Sequence, residues 1–167
     1  IEASLDVTLS EAFSGAKRKL TISSGRGKRH VEVSIPRGVD TGSIVGITPD
    51  SGSEVLLNIT VTQHKRFRRK GDDLYTEAEL PMEDAILGGE IEVQTLKGRV
   101  SLKVPSESQN GQRIRLKGQG MPKLGSENSR GDLFVAIRPA MPNNLTDEEQ
   151  EMIRKFKEIY ICDWKKL

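Results

Sequence analysis

Apolar and polar side chains alternate along several short stretches of this chain. In the first of them, Ala3, Leu5, Val7 and Leu9 are separated by polar residues. A period of two places apolar side chains on one face of a β-strand and polar ones on the other. The same period predicts strands at residues 17–22, 31–35, 44–47, 55–61, 90–94 and 100–104. The chain is therefore predicted to be mainly β.

Three short segments recur in the same order in the two halves of the chain. The matching segments are residues 11–15 with 84–88, 36–42 with 105–111, and 54–59 with 132–137. Three matches in the same order predict an internal duplication, since chance would rarely produce all of them. We expect a boundary near residues 71–74. Residues 1–73 are called the first repeat and residues 74–145 the second repeat.

Two segments predict helices. Residues 10–13 form a helical turn that Gly15 ends, with Ser10 as the expected N-cap. Residues 146–167 begin with Thr146 and Glu149, the spacing of a capping box. Apolar residues then recur at helical spacing: Met152, Ile153, Phe156, Ile159 and Tyr160. This stripe is expected either to pack on the second repeat or to contact a second copy of the chain.

The composition excludes several classes of protein. The chain has 167 residues, a mean hydropathy of −0.49 and a net charge of +2, and no apolar run is long enough to cross a membrane. Its single cysteine, Cys162, cannot form an internal disulfide, so a reducing compartment such as the cytoplasm is expected. Because the chain starts with Ile1 rather than Met, we expect it to be a fragment.

No arrangement of reactive side chains indicates catalysis. The serines lack suitably spaced His and Asp partners, and His30 and His64 lack neighbours that would complete a metal site. The chain is expected not to be an enzyme and to need no cofactor. The basic run of residues 64–70 has two readings. It is either a connector with Phe67 buried and its cations in water, or a segment that binds the phosphates of a nucleic acid.

The chain resembles the carboxy-terminal substrate-binding region of the DnaJ (heat-shock protein 40) family of co-chaperones. The motifs that carry this resemblance follow in the family's order over nearly the whole chain: LDVTLSEA at 5–12, IPRG at 35–38, TQHKRFRRKGDDL at 62–74, AILGGEIEVQTLKG at 85–98, LKGQGMP at 116–122 and RGDL at 130–133. The zinc-binding cysteine repeats and the J domain of the family are absent. The chain is therefore similar to the class without zinc, class B or type II.

The resemblance implies a fold and a function. It implies two tandem β-sandwich-like domains followed by a C-terminal helix that forms a homodimer. It also implies that an apolar groove binds unfolded polypeptides for delivery to a DnaK-type chaperone. A nucleic-acid-binding module that uses residues 64–70 is the alternative.

Site residues are carried over by position onto the first repeat. The groove corresponds to Ala3, Leu5, Arg18, Leu20, Ile22 and Leu57, while Arg18 and Lys19 could attract the acidic tail of the partner chaperone. Thr76, Ala78, Ile91, Val93, Thr95 and Val135 stand at the groove positions in the second repeat. Three of these are small or polar, so the first repeat is expected to form the better apolar trough. Leu20 and Ile22 could instead be ordinary core.

Overall fold

A computed structural model describes residues 2–25, 27–48 and 53–160. Its first part contains one short helix and five strands. Their bounds are β1 Glu2–Val7, α1 Leu9–Ser14, β2 Ala16–Ser24, β3 Gly27–Ile35, β4 Ile44–Ile47 and β5 Val55–Val61. The chain is mainly β, as the alternating pattern predicts, because most of its apolar side chains recur every second residue.

The remainder of the described chain repeats this order and adds three short strands. The bounds are β6 Arg68–Lys70, β7 Asp73–Pro81, α2 Met82–Leu87, β8 Gly89–Gln94, β9 Arg99–Val104, β10 Arg113–Leu116, β11 Pro122–Lys123, β12 Ser126–Arg130, β13 Leu133–Ala140 and α3 Asp147–Ile159. The three added strands are β6, which precedes the second repeat, and β11 and β12, which form a hairpin within it.

The two repeats have the same topology. In the first, β5 lies between β1, to which it is parallel, and β4, to which it is antiparallel. In the second, β13 lies between β7 and β10 with the same directions. A helix and a two-stranded hairpin, α1 with β2–β3 and α2 with β8–β9, follow the first strand of each repeat. The internal duplication inferred from the motifs is therefore present in the fold.

Hydrogen bonds show that the repeats agree residue by residue. The amide of Gly42 donates to the carbonyl of Ile59 at 2.9 Å, and the amide of Gly111 donates to that of Ile137 at 2.8 Å. Gly42 and Gly111 have φ angles of 95° and 84°, which side-chain-bearing residues rarely adopt. The glycines at matched positions thus serve the same turn before the same strand.

The core is formed by the inward face of each sheet and the two short helices. One cluster of buried side chains contains Val7, Leu57 and Ile59 from the first repeat and Leu74 and Leu133 from the second. A smaller cluster gathers around α2. Because the larger cluster draws on both repeats, the division into separate domains at residue 73 stays a prediction.

Two local expectations are wrong. The N-cap of α1 is Thr8 rather than Ser10: the Thr8 hydroxyl accepts from the amide of Glu11 and the Glu11 carboxylate accepts from the amide of Thr8. Thr8 and Glu11 have the spacing of a capping box, which Ser10 lacks. The loop expected at residues 23–28 is also much shorter, because β2 and β3 pair as far as Ser24 and Gly27.

The basic run is split between surface and interior. Phe67 is buried, as the connector reading predicts. The side chain of Arg69 is also largely enclosed, with 9% of its surface exposed, which that reading did not predict. Its guanidinium donates to the carbonyl oxygens of Val39, Gly38 and Gly71 at 2.5, 3.1 and 2.7 Å. Arg69 therefore joins the segment between the repeats to the turn that follows β3.

Candidate functional site

The predicted groove residues of the first repeat differ in how deeply they are buried. Leu5 on β1 and Leu57 on β5 are buried, with 8% and 2% of their surfaces exposed. Leu20 and Ile22 on β2 are half-buried and pack against the same cluster. Ala3 is exposed. Leu5 and Leu57 therefore form the floor, while Leu20 and Ile22 present apolar surface that is partly open to solvent.

Strand β2 offers an unpaired backbone edge beside these side chains. It pairs with β3 along nine residues, and within the described chain no strand pairs with its other edge. Strand β1 is likewise the outer strand of its sheet. An unpaired edge presents a row of free amide and carbonyl groups that can bind a further strand. The first repeat thus combines a free edge with half-buried apolar side chains.

Arg18 limits this surface at one end. Its guanidinium donates to both oxygens of the Glu11 carboxylate at 2.6 Å and to the carbonyl of Asp6 at 3.4 Å. The hydrogen bonds from Arg18 lower the pKa of Glu11 from 4.5 to about 2, against an opposing effect of partial burial. Arg18 lies on the same face of β2 as Leu20, so it links α1 and β1 to the start of the apolar row.

Lys19 lies on the opposite face of β2 and is exposed. Arg18 and Lys19 therefore point away from each other, since successive strand residues alternate between faces. The carboxylate of Glu11 already neutralises Arg18. An acidic tail that bound both residues would have to displace Glu11 and pass around the strand edge.

Two of the equivalent positions in the second repeat are more deeply buried. Val93 and Thr95 stand where Leu20 and Ile22 stand in the first repeat, and they are only 6% and 3% exposed. Thr95 does not extend the strand, because its hydroxyl donates to the carbonyl of Gly98 at 2.7 Å and closes the hairpin. Strand β8 is therefore six residues long, whereas β2 has nine.

A cavity of about 800 Å³ lies in the second repeat, although the sequence favours the first. Thr76 and Ala78 on β7 and Val93 on β8 line it, and these are the positions of Ala3, Leu5 and Leu20. The space between the first strand of a repeat and its hairpin is thus open in the second repeat. The basic run, which the sequence indicated as a connector or a phosphate-binding segment, also lines this cavity, and sequence reasoning missed the lining groups Tyr75, Phe134 and Arg113.

The apolar face of α3 is exposed. The helix begins with the predicted capping box, since Thr146 and Glu149 bond each other's backbone amides. No residue of α3 is buried. Its large apolar side chains are between 47% and 82% exposed: Met152, Ile153, Phe156, Ile159 and the following Tyr160. The sequence predicts that this apolar stripe either packs on the second repeat or contacts a second copy of the chain. Packing on the second repeat is not observed.

Two negative observations apply to the described residues. No group of three or more His, Cys, Asp or Glu side chains is placed so that it could hold a metal ion. No helix in that part of the chain is long and apolar enough to cross a bilayer. Cys162 and Trp164 lie outside the described residues.

Comparison with known proteins gives a consistent result. The family model for the DnaJ C terminal domain matches residues 1–142. Chaperone protein DnaJ 2 of Thermus thermophilus is 36% identical over 165 residues, which cover 96% of this chain and 56% of that protein. Chaperone protein DnaJ of Deinococcus proteolyticus is 37% identical over 162 residues, 95% of this chain and 50% of that protein. The chain thus spans about half the length of these curated relatives.

Proposed function

This chain belongs to the DnaJ C-terminal domain family, and from that premise we propose that it binds unfolded or non-native polypeptides for delivery to a DnaK-type chaperone. The family is one of chaperones and not of enzymes, in agreement with the absence of a catalytic motif. A cytoplasmic location, suggested by the single cysteine, is part of the same proposal.

The observation that carries the proposal is the unpaired edge of β2 beside Leu20 and Ile22. An extended client segment adds to this edge as a further strand, and its apolar side chains contact Leu20 and Ile22 above the floor of Leu5 and Leu57. Backbone hydrogen bonds supply affinity without regard to client sequence, and the half-buried side chains favour apolar segments. Such a site suits a protein that must recognise many unfolded chains.

Substitution on the two faces of β2 tests this site. Leu20→Asp should weaken the binding of a fluorescein-labelled apolar peptide by tenfold or more, roughly 1.4 kcal/mol, and should reduce the suppression of client aggregation. Thr21→Asp adds the same charge one residue away on the exposed face and should leave affinity unchanged. Circular dichroism and thermal unfolding establish that both variants are folded. Equal binding by the two folded variants would exclude the groove.

We propose that the acidic tail of the partner chaperone uses Lys19 in preference to Arg18. Lys19 is exposed, whereas Glu11 holds Arg18 in a bidentate ion pair. Lys19→Gln should weaken binding of a short acidic peptide that matches such a tail more than Arg18→Gln does. The opposite order would assign the tail to Arg18 and the groove side of the strand.

We propose that α3 forms a homodimer through its exposed apolar face. The supporting observation is that Met152, Ile153, Phe156 and Ile159 are exposed in one copy, which is unfavourable for so wide an apolar stripe in water. Two client sites on one particle would then hold one polypeptide with increased avidity.

Light scattering tests the dimer. Ile153→Ser combined with Phe156→Ser should give a monomer, as should deletion from Thr146 onward, while Lys155→Ser on the same helix should leave the dimer intact. A dimer that survives the double substitution and the deletion would place the contact elsewhere.

Nucleic-acid binding by residues 64–70 is the alternative function. Because Arg69 holds backbone carbonyls in the interior, its charge cannot be reversed without structural damage. The test therefore uses Arg66→Glu and Arg68→Glu alone, both of which replace exposed side chains. Steeply salt-dependent DNA binding that these two changes abolish would support this function.

A further inference from the structure

We propose that the second repeat carries a separate site, which binds an extended acidic peptide segment in the cavity between β7 and β8. This inference goes beyond the apolar client site of the first repeat and shares with it only the idea that an extended peptide is bound. It depends on three features of the cavity: its walls, its charge and its unpaired backbone edge.

Five separate segments of the chain line the cavity: the linker with the start of β6, and strands β7, β8, β10 and β13. The segment of Lys65 to Arg68 closes one end, where β6 pairs with the start of β7 through Arg68 and Tyr75. The Thr76 hydroxyl continues this contact by donating to the carbonyl of Arg66 at 2.9 Å. The linker is thus fixed against β7, and its cations are held at the cavity rather than free to move away.

The aromatic wall is rigid and carries a further cation. The rings of Tyr75 and Phe134 are stacked with centroids 5.2 Å apart and planes 16° apart. The guanidinium of Arg113 lies 5.3 Å from the centroid of the Tyr75 ring, within the range of a cation–π contact. This contact positions Arg113 beside the cavity without neutralising its charge.

The charge of the cavity lining is positive. Lys65, Arg66, Arg68 and Arg113 all line it, and within the described chain none of the four forms an ion pair.

The two glutamates of the lining are neutralised by other arginines. Glu77 pairs with Arg138 at 3.0 Å and Glu92 with Arg99 at 3.8 Å. Four uncompensated cations around one concave space favour an anionic occupant, because charge complementarity selects the partner.

The backbone around the cavity indicates a peptide. Glu92, Val93 and Gln94 of β8 line it, and within the described residues β8 pairs only with β9, so its other edge is free. Alternating amide and carbonyl groups on that edge match the backbone of an extended chain. Carboxylates of the bound segment would meet the cations at the linker end.

A nucleic acid fits this cavity less well. The Tyr75 ring is already in contact with Phe134 and Arg113, so protein groups occupy the aromatic surface on which bases would stack. The net charge of +2 also provides no extended basic surface.

Fluorescence anisotropy with a labelled peptide of alternating glutamate and valine tests the site. Arg68→Gln combined with Arg113→Gln should weaken binding about tenfold, as expected when two charge-assisted contacts are lost. Lys97→Gln combined with Lys103→Gln removes the same charge from exposed positions of the second repeat outside the cavity and should change affinity less than twofold. A glutamine–valine peptide should bind the unaltered chain at least tenfold more weakly.

The following outcomes would overturn the proposal. Equal losses in the two double variants would show a bulk charge effect, and unchanged affinity in Arg68→Gln/Arg113→Gln would remove the cavity from binding. Tighter binding of an oligothymidylate of the same length would assign the cavity to nucleic acid. Leu20→Asp should leave the acidic peptide bound while releasing the apolar one, so failure at one repeat is distinguishable from failure at the other.

Discussion

The two repeats have one backbone plan and two different surfaces. Their strands pair in the same order and direction, yet no described residue pairs with the outer edge of β1, whereas β6 covers the start of the equivalent strand β7. The first strand of the hairpin is three residues longer in the first repeat and leaves Leu20 and Ile22 half-buried. At the same positions the second repeat buries Val93 and Thr95. A duplicated fold has therefore acquired one apolar edge and one cationic cavity.

The comparison shows where the fold tolerates change. Residues that make the shared turn are the same in the two repeats, as with Gly42 and Gly111 and the strand residues Ile59 and Ile137 to which they bond. Residues on the strand edges and on the linker differ. The edges are partly exposed, so their side chains can change without creating a cavity in the core. The two proposed sites can therefore differ while the shared fold is kept.

The largest expected difference between the repeats is at Gly38. A Cβ atom there would lie 2.5 Å from the carbonyl oxygen of Pro122, and φ is 91°. The equivalent residue in the second repeat is Glu107, which adopts a φ of 58°. Gly38→Ala should therefore destabilise the fold by about 3 kcal/mol or more. Glu107→Gly should change stability by about 1 kcal/mol or less.

Urea unfolding monitored by circular dichroism measures both changes. Similar losses from Gly38→Ala and Glu107→Gly would contradict the close approach of the β11–β12 hairpin to the first repeat.

A smaller effect should separate the floor of the groove from its exposed wall. Leu57→Ala removes a side chain that is 2% exposed and should cost about 2–3 kcal/mol, and Val135→Ala should cost somewhat less at the matched position. Leu20→Ala removes a half-buried side chain and should cost about 1 kcal/mol. Thermal unfolding of the three variants would establish the order, and a large loss for Leu20→Ala would place it in the core.

The smallest effect concerns Glu11, whose ion pair with Arg18 has no counterpart in the second repeat. The pKa of Glu11 falls from 4.5 to about 2 on folding, so its stabilising contribution is complete above about pH 4.5 and is lost as the pH falls toward 2. Solvent screening of the partly exposed pair limits that contribution to about 1 kcal/mol. Glu11→Gln should remove it at neutral pH and flatten the acid dependence.

Asp84→Asn at the equivalent position is the control, and it should leave the acid dependence almost unchanged. The measurement is the free energy of unfolding in urea between pH 2 and pH 7. If Glu11→Gln and the unaltered chain lost stability in parallel over that range, the pair would contribute nothing to folding.

Most of the fold could be predicted from local patterns. The alternation at residues 55–61 gives β5 at its observed bounds, and the spacing of Thr146 and Glu149 gives the start of α3. The capping-box spacing of Thr8 and Glu11 is equally present in the sequence, although the prediction places the N-cap at Ser10. The placement of Arg18, Leu20 and Ile22 on one face of β2 also follows from the alternation of side chains along a strand.

What the sequence by itself determined is the strands of the first repeat, the β8–β9 hairpin, the helices α1 and α3, the duplication and the family, because these depend on residue spacing along the chain. Only the tertiary structure decided that Arg69 turns inward, that Glu11 holds Arg18, and that Lys65 to Arg68 close a cavity with Tyr75 and Arg113. The residues that line this cavity lie far apart in the chain, with 48 positions between Lys65 and Arg113. No local pattern encodes them, since the chain must pack before such side chains meet.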